Sequence, residues 1–157
     1  MSDIYDSETY EPRKGIGHML NRVRGELLAA IDRAMAADEQ LSSMELSSAQ
    51  FIILATLSMG TAKSASDLCK GISYDAGAMT RMLDRLEEKG LLRRSRDPGD
   101  RRLVNLELTE KGQAALPRMR EVSMGVLNRF LQGFTKPEAR QLESFLARML
   151  ENAARGA

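Results

Sequence analysis

The chain has little with which to build a covalent, metal-dependent or catalytic site. Of its 157 residues one is cysteine (Cys69) and one is histidine (His18), tryptophan is absent, and aromatic side chains make up 4%. A single cysteine excludes an intrachain disulfide and a cysteine-based zinc site, and it suits a reducing compartment. His18 has no acid, cysteine or second histidine at a motif spacing, and Gly15 and Gly17 lack the preceding strand and third glycine of a dinucleotide loop. No phosphate loop or nucleophile elbow occurs. The expectation is a protein that is not an enzyme and carries no metal or cofactor. Long apolar runs are also missing: "FIILATL", Phe51 to Leu57, falls far short of the ~20 residues that span a bilayer. The acidic first dozen residues do not resemble a secretory signal, so a soluble cytoplasmic protein with no membrane partner is expected.

What the chain does have is a globular composition, 43% hydrophobic and 29% charged, in a length that suits one domain. Its net charge of +1 is unevenly spread. Arg93, Arg94, Arg96, Arg101 and Arg102 stand against only Asp97 and Asp100, whereas Asp3, Asp6, Glu8 and Glu11 precede the first base at Arg13. A local cationic cluster is what phosphate contact requires, because each neutralised phosphate releases counterions. A solvated charged hairpin is the plainer alternative.

Apolar spacing predicts helices over most of the length. Ile16, Met19, Leu20, Val23, Leu27 and Ile31 recur every three or four residues, giving a helix from Lys14 to about Asp38. Ser47 with Gln50 reads as a capping box for a helix from Ser48 to about Met59, stopped at Gly60. Ser64 with Asp67 repeats the signal for a short helix, Ala65 to Lys70, closed by Gly71. Ser73 or Asp75 caps the next, whose buried stripe is Met79, Leu83 and Leu86 with Met82 beside it, and which ends at Gly90. Leu91 to Arg96 and Leu103 to Leu108 then read as two strands around the turn signal "DPGD", with Val104, Leu106 and Leu108 facing inward. Thr109 opens a long helix in which Pro117 predicts a kink or break, and Gly133 closes it. Thr135, Pro137 and Glu138 start a last helix through about Ala154.

A short helix, a turn at Gly90, an arginine-rich hairpin and a second helix form the order of a winged helix-turn-helix. In that shape one helix enters the DNA major groove and the hairpin reaches the flanking backbone or minor groove. Such a module of about 60 residues closes its own core. The apolar stripes outside it (Met124, Leu127, Phe130, Leu131 and Phe134; Leu142, Phe145, Leu146, Met149 and Leu150) then need a partner. Packing the terminal helices of two copies together would bury them and set two recognition helices roughly 34 Å apart, one turn of DNA. A monomeric six-helix arrangement is the alternative.

The segment from about Leu46 to Gly112 resembles the MarR family of bacterial transcriptional regulators, above all in "TRMLDRLEEKGLLRRSRDPGDRR" and "VNLELTEKG". Arg81, Asp84, Leu86, Gly90 and Leu91 stand at the family's positions, as do Asp100 to Arg102 and the Leu108 to Gly112 motif. The resemblance implies a mainly helical chain of six helices with a small hairpin wing, forming one domain over 1–157. Within it, 46–112 would be the winged helix-turn-helix lobe, and 14–38 with 117–155 the dimerisation helices. It further implies a homodimer on double-stranded DNA at a pseudo-palindromic operator, usually a repressor, released by a small aromatic or phenolic acid.

On the same resemblance, Ser73, Tyr74, Asp75, Gly77, Ala78, Thr80 and Arg81, with Arg85 further along, match the major-groove reader. Arg96, Arg101 and Arg102 belong to the wing, with Arg102 at its tip and Asp100 as the partner that orients it. Arg81 or Arg85 is suited to a bidentate guanine contact, and a planar guanidinium to a narrow minor groove. Asp84 reads as an intradomain partner for an arginine rather than a base reader. The family's ligands lie between dimer helices and DNA-binding lobe, which brings the first, second and fifth helices into play. His18 and Arg22, one turn apart, are candidate carboxylate contacts there. Cys69, among apolar neighbours, reads as a small core residue, with a redox-responsive regulator as one alternative and a protein-interaction adaptor without specific DNA binding as another.

Overall fold

The computed structural model describes residues 4–8, 10–72, 74–96, 99 and 104–156. Six helices and one hairpin follow in the expected order: α1 (Ile16–Ala37), α2 (Ser48–Ser58), α3 (Ala65–Gly71), α4 (Ala76–Glu88), β1 (Leu92–Arg96), β2 (Val104–Leu108), α5 (Glu110–Phe130) and α6 (Lys136–Arg155). No described helix is long and apolar enough to cross a membrane.

The capping residues read from the sequence do their work. Ser47 with Gln50, Ser64 with Asp67 and Thr135 with Glu138 each form reciprocal boxes, and Asp75 caps α4 by accepting the Ala78 N–H at 2.8 Å. The end of α4 is a Schellman motif. Gly90 takes φ +67°, its N–H donates to Glu87 O, and the Leu91 N–H donates to Leu86 O, while Leu86 and Leu91 are both fully buried. Neither bond would form with a right-handed residue at 90.

The core is shared by all elements but one. Met79, Leu83 and Leu86 of α4 meet Leu91, Leu92 and Leu106 of the hairpin, Ile53 and Leu54 of α2, Leu68 of α3, and Met119 and Val126 of α5. Helices α1 and α5 pack along each other, with Ile31 and Met35 buried between α1 and the rest. Helix α6 buries none of its residues. The antiparallel hairpin pairs Leu92 with Leu108 and Arg96 with Val104, and the Leu106 N–H donates to Lys63 O at 2.8 Å, anchoring the wing to the segment before α3.

Two expectations need correction, and one element was not expected. Val104, predicted inward, is 42% exposed, because the outer end of the hairpin extends beyond the lobe. Pro117 does not break α5; the carbonyl it leaves without its helical partner belongs to exposed Gln113, on the solvent side of the helix. The first turns of this continuous helix (Gly112, Ala115, Leu116) are buried in the lobe. A short 3-10 turn at Ser42–Met44, ending in left-handed Glu45 (φ 47°), was not visible in the spacing.

Gly112 explains why the strand-to-helix joint takes the sequence it does. A β-carbon there would lie 2.0 Å from the Leu91 carbonyl oxygen, which is backbone and cannot yield. Gly112→Ala is expected to destabilise the protein by about 3 kcal/mol or more, measured as a fall in urea midpoint at fixed protein concentration. Gly125→Ala on the same helix, where a β-carbon meets nothing within 4 Å, should instead be neutral or stabilising by up to about 1 kcal/mol.

Candidate nucleic-acid interface

Helix α4 turns Met79, Leu83 and Leu86 into the core, so its opposite face is set by helical geometry alone. Asp75, Gly77, Thr80, Arg81 and Arg85 are exposed along it, with Tyr74 and Ala78 half-buried at its edge. Of the predicted readers, these seven share one element and its entry. Ser73 lies outside the described residues. The Thr80 hydroxyl donates to Ala76 O at 2.8 Å, which leaves its methyl and its lone pairs to the outside.

The electrostatics divide the arginines into two sets. Arg93 donates to Glu107 at 2.9 and 2.6 Å, and Ser95 also donates to Glu107; these bonds, that from Arg93 first, hold the Glu107 carboxyl below its ordinary range. Arg94 reaches across from β1 to Asp84 at 2.7 Å and Glu87 at 2.5 Å on α4. Burial works against its charge, but the bonds to Asp84 and then Glu87 outweigh it and raise its pKa. Two of the five arginines read as a phosphate-binding cluster are therefore paired within the lobe, Arg93 across the hairpin to β2 and Arg94 to the acids of α4 against which β1 lies. Asp84 is the intradomain partner that its position suggested.

Arg81, Arg85 and Arg96 make no ion pair among the described residues. Arg81 and Arg85 sit one turn apart on the exposed face of α4, and Arg96 ends β1. Asp100, Arg101 and Arg102 lie outside the described residues. The acid that remains on the reading face, Asp75, is held charged: the Ala78 N–H lowers its pKa most, burial opposes this, and Gly77 and Arg81 lower it further.

The ties that hold this lobe to its neighbours have no local sequence signal. The Lys89 ammonium donates to Met44 O at 2.7 Å and Glu45 O at 2.6 Å, and Lys111 donates to Lys89 O at 2.8 Å. Asp38, buried at the end of α1, accepts two bonds from Arg118 at 2.9 and 2.6 Å, and these, before its backbone bonds, hold its carboxyl below the usual range against the effect of burial. Lysines and arginines bonding across 22 to 80 residues leave no periodic signal.

His18 and Arg22 lie together on α1 and line an open pocket of about 290 Å³ with Arg13, Met19, Val23 and Glu26, closed on one side by Phe130 of α5. No residue of α2 lines it. Their distance from the lobe is set by helix rise: α1 meets α2 where Asp32 accepts the Ser48 N–H, fourteen residues or about 20 Å further along. Cys69 is partly buried against the core.

Comparison with known proteins agrees with this geometry. The MarR family model matches residues 46–104. The chain is 35% identical over 130 residues to the HTH-type transcriptional repressor NicR of Pseudomonas putida, covering 78% of each chain. Its fold matches that of BpsR from Bordetella bronchiseptica, in a structure concerned with regulation of DNA binding by 6-hydroxynicotinic acid (TM-score 0.76, 26% identity, 89% of this chain and 96% of that one). It also matches a cysteine-to-serine variant of MarR from Escherichia coli in complex with operator DNA (TM-score 0.74, 27% identity, 95% and 99% covered).

The Arg94 clamp sets the angle between wing and helix, and its removal has a readable consequence. Arg94→Ala should cost about 1–2 kcal/mol of stability and speed amide hydrogen exchange in β1 and β2. Arg93→Ala, whose ion pair is largely solvated, should change both less. Equal effects from the two would show that the clamp does not hold the wing.

Proposed function

Because the chain belongs to the MarR family, we propose that it is a sequence-specific DNA-binding transcriptional regulator. In this reading it works as a homodimer on a pseudo-palindromic operator, as a repressor that a small aromatic or phenolic acid releases. The observation that supports it most is the sorting of the arginines. Arg93 and Arg94 are neutralised within the lobe, while Arg81, Arg85 and Arg96 stay exposed with no ion pair among the described residues. Free guanidinium groups on one helix face and one strand end are suited to bases and phosphates. The full proposed contact set is Ser73, Tyr74, Asp75, Gly77, Ala78, Thr80, Arg81 and Arg85 of the α4 region with Arg96, Asp100, Arg101 and Arg102 of the wing.

Dimerisation is supported by what the single chain leaves uncovered. Ile16, Met19 and Val23 of α1, Met124, Leu127 and Phe130 of α5, and Leu142, Phe145, Met149 and Leu150 of α6 are each between 39% and 73% exposed. Surface of that kind on consecutive helices marks an interaction site. Residues 46–112 serve as the DNA-binding lobe, and 14–38 with 117–155 as the dimerisation helices.

The ligand half of the proposal places an aromatic acid against His18 and Arg22. Their pocket offers cations at Arg13 and Arg22 and apolar surface at Met19, Val23 and Phe130, the combination such an acid needs. Binding that favours one spacing of the two lobes would shift a two-state equilibrium and release the operator.

Selection from a randomised duplex library tests the DNA reading. An inverted repeat should emerge, bound by a dimer in sedimentation. Arg81→Ala should lose discrimination between the selected duplex and random DNA, whereas Arg102→Ala should weaken both and flatten the salt dependence by about one contact or less. A monomer with no salt-dependent binding would favour the adaptor reading instead. For the ligand, salicylate and 6-hydroxynicotinic acid are the probes. Release of the selected duplex by either acid should be lost in His18→Ala/Arg22→Ala, and unchanged release would remove this pocket from the account.

A further inference from the structure

We infer that Asp75 and Gly77 are positioning residues for Arg81: the bare backbone at Gly77 forms a notch on the first turn of α4 in which the Arg81 guanidinium lies back toward the Asp75 carboxylate, aimed at one base pair. The inference rests on the DNA-reading function proposed above and names what would aim one of its side chains.

Three facts of geometry carry it. A β-carbon placed on Gly77 would stand 3.2 Å from Asp75 Oδ1 and 3.5 Å from a terminal nitrogen of Arg81, so both groups border the space that glycine leaves open. Arg81 is four residues beyond Gly77 on the same face, and side chains on a helix lean toward its N-terminus, so a substituent at 77 would crowd the Asp75 carboxylate and touch the arginine. Asp75 Oδ1 is itself fixed, because it accepts the Ala78 N–H at 2.8 Å as the cap of the helix.

Charges further along α4 do not draw Arg81 away. Asp84, three residues on, is taken by Arg94 at 2.7 Å. Arg85, one turn on, carries the same charge and repels it. The N-terminal direction offers it a fixed carboxylate beside a helix floor lacking a side chain. Asp75 and Arg81 are not in ion-pair contact within 4.0 Å among the described residues. The carboxylate therefore biases the guanidinium without tying up its N–H donors, which stay free for the O6 and N7 of a guanine. Restricting a long side chain before contact lowers the ordering cost of binding. Gly77 thereby has a role distinct from permitting close approach of the backbone.

The test compares full-length variants on the duplex selected by the wild type from a randomised library, with each base pair then varied in turn. Arg81→Ala identifies the base pair that Arg81 reads. Asp75→Asn keeps an equally good cap but removes the charge. Gly77→Ala fills the notch with a better helix former. Both are expected to retain the thermal midpoint, yet to reduce guanine preference at that same base pair, normalised to the same variant's affinity for random duplex, by about fivefold or more. Unchanged preference in both variants would overturn the inference. So would a gain of affinity in Asp75→Asn shared by all duplexes with the base profile intact, because the carboxylate would then act only by repelling phosphate. A wild type that selects no motif would overturn the DNA-reading function itself, a result seen before any variant is made.

Discussion

The structure depends on one close approach of backbone to backbone. The Leu91 carbonyl leaves no room for a side chain at Gly112, accepts the Thr109 N–H at 3.1 Å, and follows directly on the Schellman turn that ends α4. The Thr109 hydroxyl donates to Gly90 O at 2.6 Å, and Lys111 to Lys89 O. Three consecutive carbonyls at the end of the exposed-face helix are thus bonded to the first turn of α5. A helix that points its free face outward is thereby tied to the start of the long helix α5.

That joint gives the polar ties elsewhere their meaning. Lys89 also closes onto Met44 and Glu45, so the same joint holds the connection between α1 and α2. Arg118, two turns into α5, grips Asp38 at the end of α1. Long helices joined to the lobe at two points are suited to transmit a change of spacing at one end as a change of lobe position at the other, because packed interfaces have discrete arrangements rather than a continuum.

Most of the helical framework was legible because its signals are local. Capping boxes at Ser47, Ser64 and Thr135, the N-cap at Asp75 and the glycine stop at Gly90 act within four residues, and the Met79, Leu83, Leu86 stripe follows directly from helix period. The candidate interface was legible in membership but not in charge state. Nothing in the order of "LLRRSR" says that Arg94 faces Asp84 and Glu87 while Arg96 pairs with no acid among the described residues; that depends on how β1 lies on α4. The same holds for Val104, whose alternation is right for an inward residue but whose strand outruns the surface it would cover.

By itself, the sequence determined the element order, the helix ends, the buried stripe of α4 and a cationic hairpin beside it, since each is set by backbone geometry and side-chain chemistry over a few residues. The tertiary structure alone decided which arginines are free, which glycine is sterically required, where His18 and Arg22 sit, and that α6 finds no cover within its own chain. Those outcomes depend on contacts between segments tens of residues apart, and the period of a helix or strand carries no record of what it will meet.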